Sequence, residues 1–450
     1  MVQNQAGPAV WGSYFAVFNF SLLFGVLLDP GIHNFSNRAV SRHPQRLGAY
    51  LINFSLLKGV LSFGYFIFTF SLALLSGFDT HQQHWLSILM INQILLQVIL
   101  FFRAQIGALQ HFRIDAFFSV SDKLIALLLC LFLLFQNDQL PIDAFLYAQT
   151  AALLITASLA GLYVYRQPRM HTDIWPMRKF RRVLKMTSGF AWLAFFMAVY
   201  FRADGILLNR LLGESDQQET GIYAAAYRIL DAANMFAFLL STLLLPVFAS
   251  HIRKNKDVTP LVFYSTNLLW TAGTALCILC ITQADFIVST LYPTADAYWQ
   301  KVFQVLMMAF VPMSSVYVFG TLLTAHGSMR PLIRIAITGM TITLMLQCLT
   351  IPYAKALGAA AATMITQLII AVLHIFAARK HFTLTVYRQH VYAYGLQVTG
   401  TAVVAYGLST LSVHPIICCV MIPVVSAGLS WGTGLLKGES MTQIQRTARQ

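Results

Sequence analysis

The chain has 450 residues, of which 58% are hydrophobic and only 10% charged, whereas a soluble protein carries about 25% charged residues. That excludes an ordinary soluble globular protein. The net charge of +14 does not require nucleic acid, because basic residues gather on cytoplasmic loops for topological reasons alone.

Thirteen apolar segments follow one another, near residues 9–30, 49–75, 85–103, 115–135, 144–165, 186–210, 221–249, 260–283, 300–325, 331–353, 357–378, 390–411 and 414–436. Each is too long for a barrel strand, and only internally bonded backbone crosses hydrocarbon, so they read as helices of an all-α polytopic membrane protein. The connections set the orientation. Alternate loops carry Arg38, Arg42 and Arg46; Arg103, Arg113 and Lys123; Arg166, Arg169, Arg178, Lys179, Arg181, Arg182 and Lys185; and Arg253, Lys254 and Lys256. The series continues with Arg330 and Arg334, then Arg379, Lys380 and Arg388, and ends in a tail with Lys437, Arg446 and Arg449. The opposite loops hold Lys301 and Lys355, with Arg210 near a span end, and are rich in acids: Asp79, Asp138, Asp143, Glu214, Asp216, Glu219, Asp285 and Asp296. Positive charge stays inside. The pattern predicts a cytoplasmic C-terminus and, with thirteen crossings, an external N-terminus.

An internal repeat bears on that start. "WGSYFA" at 11–16 matches "TGIYAA" at 220–225, with Gly12 and Tyr14 against Gly221 and Tyr223. Both stretches open long spans running from outside to inside, and transporters are commonly built from such repeats. The second copy is preceded by the helix containing "YFRADGILLNRLLG" at 200–213, while the first has no counterpart before it. A first helix is therefore expected to be missing from this sequence, through truncation, a misplaced start or divergence. The basic 166–185 stretch reads as a cytoplasmic linker between an N-terminal lobe, 1–165, and a C-terminal lobe, 186–378. Two peripheral helices, 379–436, and a cytoplasmic tail, 437–450, complete the plan. The linker's positive charge is accounted for by topology and attraction to anionic lipid.

The sequence carries no nucleotide-binding P-loop, no H-E-x-x-H and no G-x-S-x-G. Cys130, Cys277, Cys280, Cys348, Cys418 and Cys419 all lie in apolar runs. Cys277-x-x-Cys280 lacks a second pair or a nearby His to complete a metal site. No catalytic residue, metal or cofactor is expected.

Charge inside the bilayer is what remains, and such residues are costly and face a bundle interior or a wet cavity. Lys58 stands in "FSLLKGVLSF", ~13 Å into its span at 1.5 Å per residue. Arg202 and Asp204 lie in the outer half of theirs, and Arg228 and Asp231 sit in "YAAAYRILDAANMF" below the outer end of the next. Arg202 and Asp204 are two positions apart, so they do not face each other on a helix. Arg228 and Asp231, at i and i+3, can pair. Two readings stand: an ion-pair network fixing helix register, or a hydrated cavity whose cations Lys58, Arg202 and Arg228 bind an anionic substrate while Asp204 and Asp231 exchange an ion. Arginine's planar fork suits phosphate oxygens. Pro246, Pro312 and Pro423 are candidate kinks, and "LGAAAATM" at 357–364 suits close helix packing.

"YFRADGILLNRLLG", a short acidic loop and "GIYAAAYRI" together resemble the seventh and eighth helices of bacterial polysaccharide flippases of the multidrug/oligosaccharidyl-lipid/polysaccharide exporter superfamily. "WGSYFAVFNFSLLFGVLLDPG" resembles that family's second helix, with its D-x-G ending as Asp29 and Gly31, and "RAQIGALQHFR" resembles its loop between helices four and five. Family members have twelve or fourteen helices, so thirteen fits an absent first one. The resemblance implies two pseudo-symmetric six-helix lobes around a central cationic cavity. It implies movement of an undecaprenyl-pyrophosphate-linked oligosaccharide across the bacterial inner membrane by ion- or potential-driven alternating access. Partners would be the lipid-linked glycan, the bilayer, a polysaccharide polymerase and glycosyltransferases, with no nucleic acid. A lipid II flippase or a cation-coupled drug exporter of the same superfamily is the alternative, although a drug exporter's cavity favours acids. A membrane-embedded polymerase or ligase is the alternative of another class and predicts essential outer loops.

Overall fold

The computed structural model describes residues 2–436 apart from 138–139, 168–174, 214–215, 383, 385–387 and 412. Asp138, Arg169, Glu214, Lys437, Arg446, Arg449 and the tail 437–450 therefore lie outside the described residues. Among the described residues every regular element is helical. Eleven of these helices are long and apolar enough to cross a membrane. Large apolar side chains stand outward on them, with Phe135 91%, Tyr353 90% and Leu75 84% exposed. Only lipid covers such a surface without cost. The chain is a multi-pass membrane protein.

Two compact units divide the chain, Met1–Gly221 and Ile222–Gln450. The first contains α1 (Val2–Ala6), α2 (Pro8–Leu23), α3 (Ile32–Arg42), α4 (Leu47–Leu75), α5 (Thr80–Ala108), α6 (Phe112–Asn137), α7 (Ile142–Tyr165), α8 (Met177–Leu212) and the first turn of α9 (Gln217–Arg253). α5 is its hub and packs on α2, α3, α4, α6 and α7. Asp79 caps α5 by accepting from the Gln82 amide at 2.6 Å, which stabilises a helix start by about 1 kcal/mol. Leu51, Phe54, Phe101, Ile106 and Val164 form the buried core between these helices.

α8 packs along α2, and the first compact unit runs on through α8 to Gly221. The packing rests on small residues at the crossing. A Cβ on Gly205 would stand 2.7 Å from the Phe15 ring and 2.9 Å from the Asn19 amide nitrogen. The two glycines of the repeat also meet. A Cβ on Gly12 would stand 2.6 Å from the Gln217 carbonyl and 2.7 Å from the Gly221 nitrogen, and one on Gly221 would run into the Pro8 carbonyl. Gln3 Nε2 donates to the Gly221 carbonyl at 3.2 Å, and Ser13 Oγ donates to Gln217 Oε1 at 3.2 Å.

The second unit continues α9 and adds α10 (Thr259–Thr282), α11 (Ala284–Leu291), α12 (Ala297–Met307), α13 (Phe310–His326), α14 (Met329–His381), α15 (Arg388–Thr410) and α16 (Pro415–Gly432). Here α10 is the hub, touching α12, α13, α15 and α16. The expected span 300–325 is broken between α12 and α13. Pro312 has no amide to bond the Met308 carbonyl, and the chain turns there. The 53 residues of α14 cover two expected spans, 331–353 and 357–378, broken at Lys355 with φ 49° and ψ −128°. Across that break Thr350 Oγ1 donates to the Gly358 carbonyl at 2.9 Å. A Cβ on Gly358 would stand 2.5 Å from the Thr350 carbonyl oxygen, and Ala359, Ala360 and Ala362 are fully buried. Pro246 and Pro423 lie inside α9 and α16. α15 is of spanning length with a more polar sequence.

Candidate functional site

Between α2 and α3 the chain passes through a 3-10 turn, Gly25–Leu27, and then reverses tightly at Asp29–Gly31. Gly31 adopts φ 99°, a left-handed conformation that glycine takes without strain, and Asp29 Oδ1 accepts from the Gly31 amide at 2.9 Å. The same carboxylate accepts from the His33 amide at 3.2 Å, which starts α3. Lys58 reaches into this turn from α4. Its Nζ lies 3.3 Å from Asp29 Oδ2 and 3.5 Å from the Leu28 carbonyl, with the Phe101 ring centroid at 5.9 Å. Lys58 is buried and Asp29 nearly so, with side chains 6% and 12% exposed. Lys58 thus sits in an ion pair that its own unit completes. Asp29 was visible in the sequence as part of the D-x-G ending, and Lys58 as an intramembrane cation. What joins them is the backbone reversal at Gly31.

His33 extends the cluster. Its Nδ1 is buried with no hydrogen-bond partner among the described residues, and its backbone amide is held by Asp29. Burial pushes the His33 imidazole below its ordinary value of 6.5; Asp29 pulls it up, and Lys58 and then Arg103 push it down. Arg103 Nε in turn bonds Asp115 Oδ1 at 2.7 Å, and Gln105 Nε2 donates to Ser36 Oγ at 2.6 Å. The "DPG" ending and the "RAQIGALQHFR" stretch, 70 or so residues apart, therefore meet at one place.

Arg202 and Asp204 lie on the unbroken helix α8, on different faces as their spacing dictates. Asp204 is 3% exposed and Arg202 half-buried. Asp204 stands next to Gly205, the point where α8 touches Phe15 and Asn19 of α2. Arg228 and Asp231 are both half-buried on α9, in the second unit. Each of these four charged side chains engages neighbours. Arg228 is close enough to Tyr292 to pull its phenol down against the upward push of burial, and Tyr292 Oη donates to the Ala225 carbonyl at 3.4 Å. Beside it, Ile222, Ala226 and Ile229 of α9 face Val288, Trp299 and Phe303 across a small apolar cleft. Of the five charged positions singled out in the sequence, Lys58 is paired with Asp29. Arg202 with Asp204 belong to the first unit, and Arg228 with Asp231 to the second.

All six cysteines are free, and no group of three metal-ligating side chains occurs among the described residues.

Residues 1–252 match the family model described as polysaccharide biosynthesis protein. That half contains Lys58, Arg202, Asp204, Arg228 and Asp231. A comparison with curated protein sequences returned no match. Among solved structures the chain is similar to the lipid II flippase MurJ in an inward closed conformation, with 13% identity, a TM-score of 0.70 and coverage of 94% of this chain and 92% of that one. It is similar to an inward-facing multidrug resistance MATE family transporter of the MOP superfamily, at 13% identity, TM-score 0.68, 84% and 92% coverage. The Vibrio cholerae MATE transporter VcmN in its bent form matches at 12% identity, TM-score 0.57, 83% and 88% coverage. These likenesses fix the fold, that of the MOP transporters.

Proposed function

The chain belongs to the polysaccharide biosynthesis protein family, and we propose that it is a flippase moving an undecaprenyl-pyrophosphate-linked oligosaccharide from the inner to the outer leaflet of the bacterial inner membrane. The observation that carries this reading is that the family match covers the half of the chain bearing all the intramembrane cations singled out above. A glycan cannot shed its hydration in hydrocarbon, whereas a prenyl tail is at home there. A carrier therefore has only to give the sugar and pyrophosphate a polar route while the tail stays in lipid. Intramembrane arginines are costly to place, and their fork matches a phosphate's oxygens. In this reading Arg202 in the first unit and Arg228 in the second are each phosphate-binding residues. Lys58 joins them only when the substrate takes Asp29's place. Asp204 and Asp231 either bind the coupling ion or hold the arginines in register between cycles. An ion gradient or the membrane potential drives the cycle, no residue acts as a catalyst, and the C-terminus lies in the cytoplasm with the basic loops. Glycosyltransferases supply the substrate and a polymerase consumes the product.

A drug exporter of the MOP superfamily and a lipid II flippase share the fold, and their TM-scores of 0.68 and 0.70 do not separate them. The charge favours an anionic substrate over a drug: a carrier of cationic drugs is expected to put acids, rather than Lys58, Arg202 and Arg228, at membrane depth. The test is transport of fluorescent undecaprenyl-pyrophosphate oligosaccharide in proteoliposomes. Arg202→Ala and Arg228→Ala are expected to lose at least about tenfold in rate, the scale of one lost charge-assisted contact at 1.4 kcal/mol, with normal membrane insertion. Full transport by both variants would end the proposal. Transport of lipid II in preference to other glycans would move it to the first alternative.

A further inference from the structure

The joint where α2 ends and α3, α4 and α5 meet holds more titratable groups than an ion pair needs. Asp29 lies on the turn, Lys58 on α4 and Arg103 on α5, with Asp115 of α6 against Arg103. Two cations and two acids pair off. α8 brings Thr187 against Gly31. His33 of α3 is left over, with Nδ1 buried and without a hydrogen-bond partner among the described residues. An orphaned, buried imidazole nitrogen is a proton acceptor held ready, since nothing competes for its lone pair.

We propose that His33 is a proton-binding switch whose ionisation sets a third cation against Asp29 and so loosens the joint between the turn that follows α2 and helices α3, α4 and α5. A proton arriving on Nδ1 creates a third cation beside a carboxylate that already serves Lys58 and two backbone amides. Asp29 cannot satisfy all of them, and the Lys58 ammonium cannot leave Asp29 without a replacement in so buried a place. The turn at Gly31 is what yields. The sign follows from linkage. Burial holds the folded imidazole below 6.5, so the unfolded or opened form binds more protons. The closed joint is therefore most stable above that value and weakens as pH falls below it. The fold itself rather than the transported substrate sets this response.

The experiment uses the full chain in lipid nanodiscs and hydrogen–deuterium exchange over residues 25–46, from about pH 8 to about pH 5, with rates corrected for intrinsic chemistry. The wild type is expected to lose protection about threefold or more below about pH 6.5, a local opening rather than global unfolding. His33→Gln keeps a neutral polar side chain of similar size and cannot take the proton, so its protection should stay flat at the wild-type high-pH level. A flat wild-type profile, or the same fall in His33→Gln, overturns the proposal. Should the variant not insert, nitrogen-15 histidine labelling of the wild type decides. A His33 resonance titrating in step with the exchange change supports the switch, and one that does not titrate in this range overturns it. Neither readout involves transport, so the proposal stands or falls separately from the flippase reading.

Discussion

Two buried polar joints hold helices together in different ways. In the first unit, the turn that follows α2 is fastened to α4 by the charges of Asp29 and Lys58. In the second, α15 and α16 are fastened to α10 by neutral groups. Gln397 Nε2 donates to Thr274 Oγ1 and to Ser426 Oγ, each at 2.7 Å, and Thr271 Oγ1 and Ser430 Oγ share a bond of 2.9 Å. Asn267 Nδ2 reaches the Leu435 carbonyl at 2.8 Å, and Tyr394 Oη bonds Asn267. A neutral seam of this kind loses little when one member goes, because the remaining groups find other partners in the helix backbone. A buried charge has no such fallback. The comparison teaches that the first joint is built to respond to protons and ions, while the second is built to stay shut. The α15–α16 hairpin, peripheral in the sequence reading, is tied to the hub of its unit by that seam.

The largest effect is expected at Asp29. Asp29→Asn leaves the Lys58 ammonium buried without its counter-charge, a loss of about 3–5 kcal/mol, read as a lowered unfolding midpoint in detergent. Asp29→Asn with Lys58→Met removes both charges and should recover most of that loss. If the single variant were as stable as the wild type, the joint would be no more than a polar contact and the contrast with the seam would vanish. The middle effect belongs to Gln397→Leu. It removes two bonds, each worth about 0.6 kcal/mol by the average for buried bonds in membrane proteins. It also removes the Gln397 Oε1, which is buried with no hydrogen-bond partner among the described residues. A net loss near about 1 kcal/mol, the same at acid and neutral pH, is expected.

How far the sequence discloses these joints depends on chain distance. The spans are legible because lipid imposes one long apolar run per crossing, and the breaks at Pro312 and Lys355 fall where proline and a polar "YAK" interrupt the runs. The short helices α3 and α11 are missed, since α3 is polar and α11, though apolar, has only 8 residues. The repeat match of Gly12 with Gly221 is visible as similarity. That the two glycines also touch is not, because nothing local in either stretch says which partner it closes on. The same holds for α8. Its sequence shows a basic N-terminal end and an apolar run, and nothing in either says that Gly205 lets it lie on Phe15 of α2. Asp29 and Lys58 are each conspicuous, 29 residues apart, and only the turn at Gly31 makes them a pair.

The smallest effect should come from Arg103→Gln, and it tests whether depth or chemistry governs the comparison. Arg103 and Asp115 form a shorter contact than Lys58 and Asp29, 2.7 Å against 3.3 Å. If distance ruled, Arg103 would matter more. But its side chain is 25% exposed and that of Asp115 30%, so water already solvates both and removal should cost under about 1 kcal/mol. Salt separates the two cases further. At about 1 M ionic strength the screening length is about 3 Å, enough to erase the contribution of Arg103 while leaving the Asp29 penalty in place. A larger loss for Arg103→Gln than for Asp29→Asn would mean that the outer pair, and not the buried one, fastens α5 to its neighbours. The proton switch at His33 would then have to be sought in its coupling to Arg103 instead.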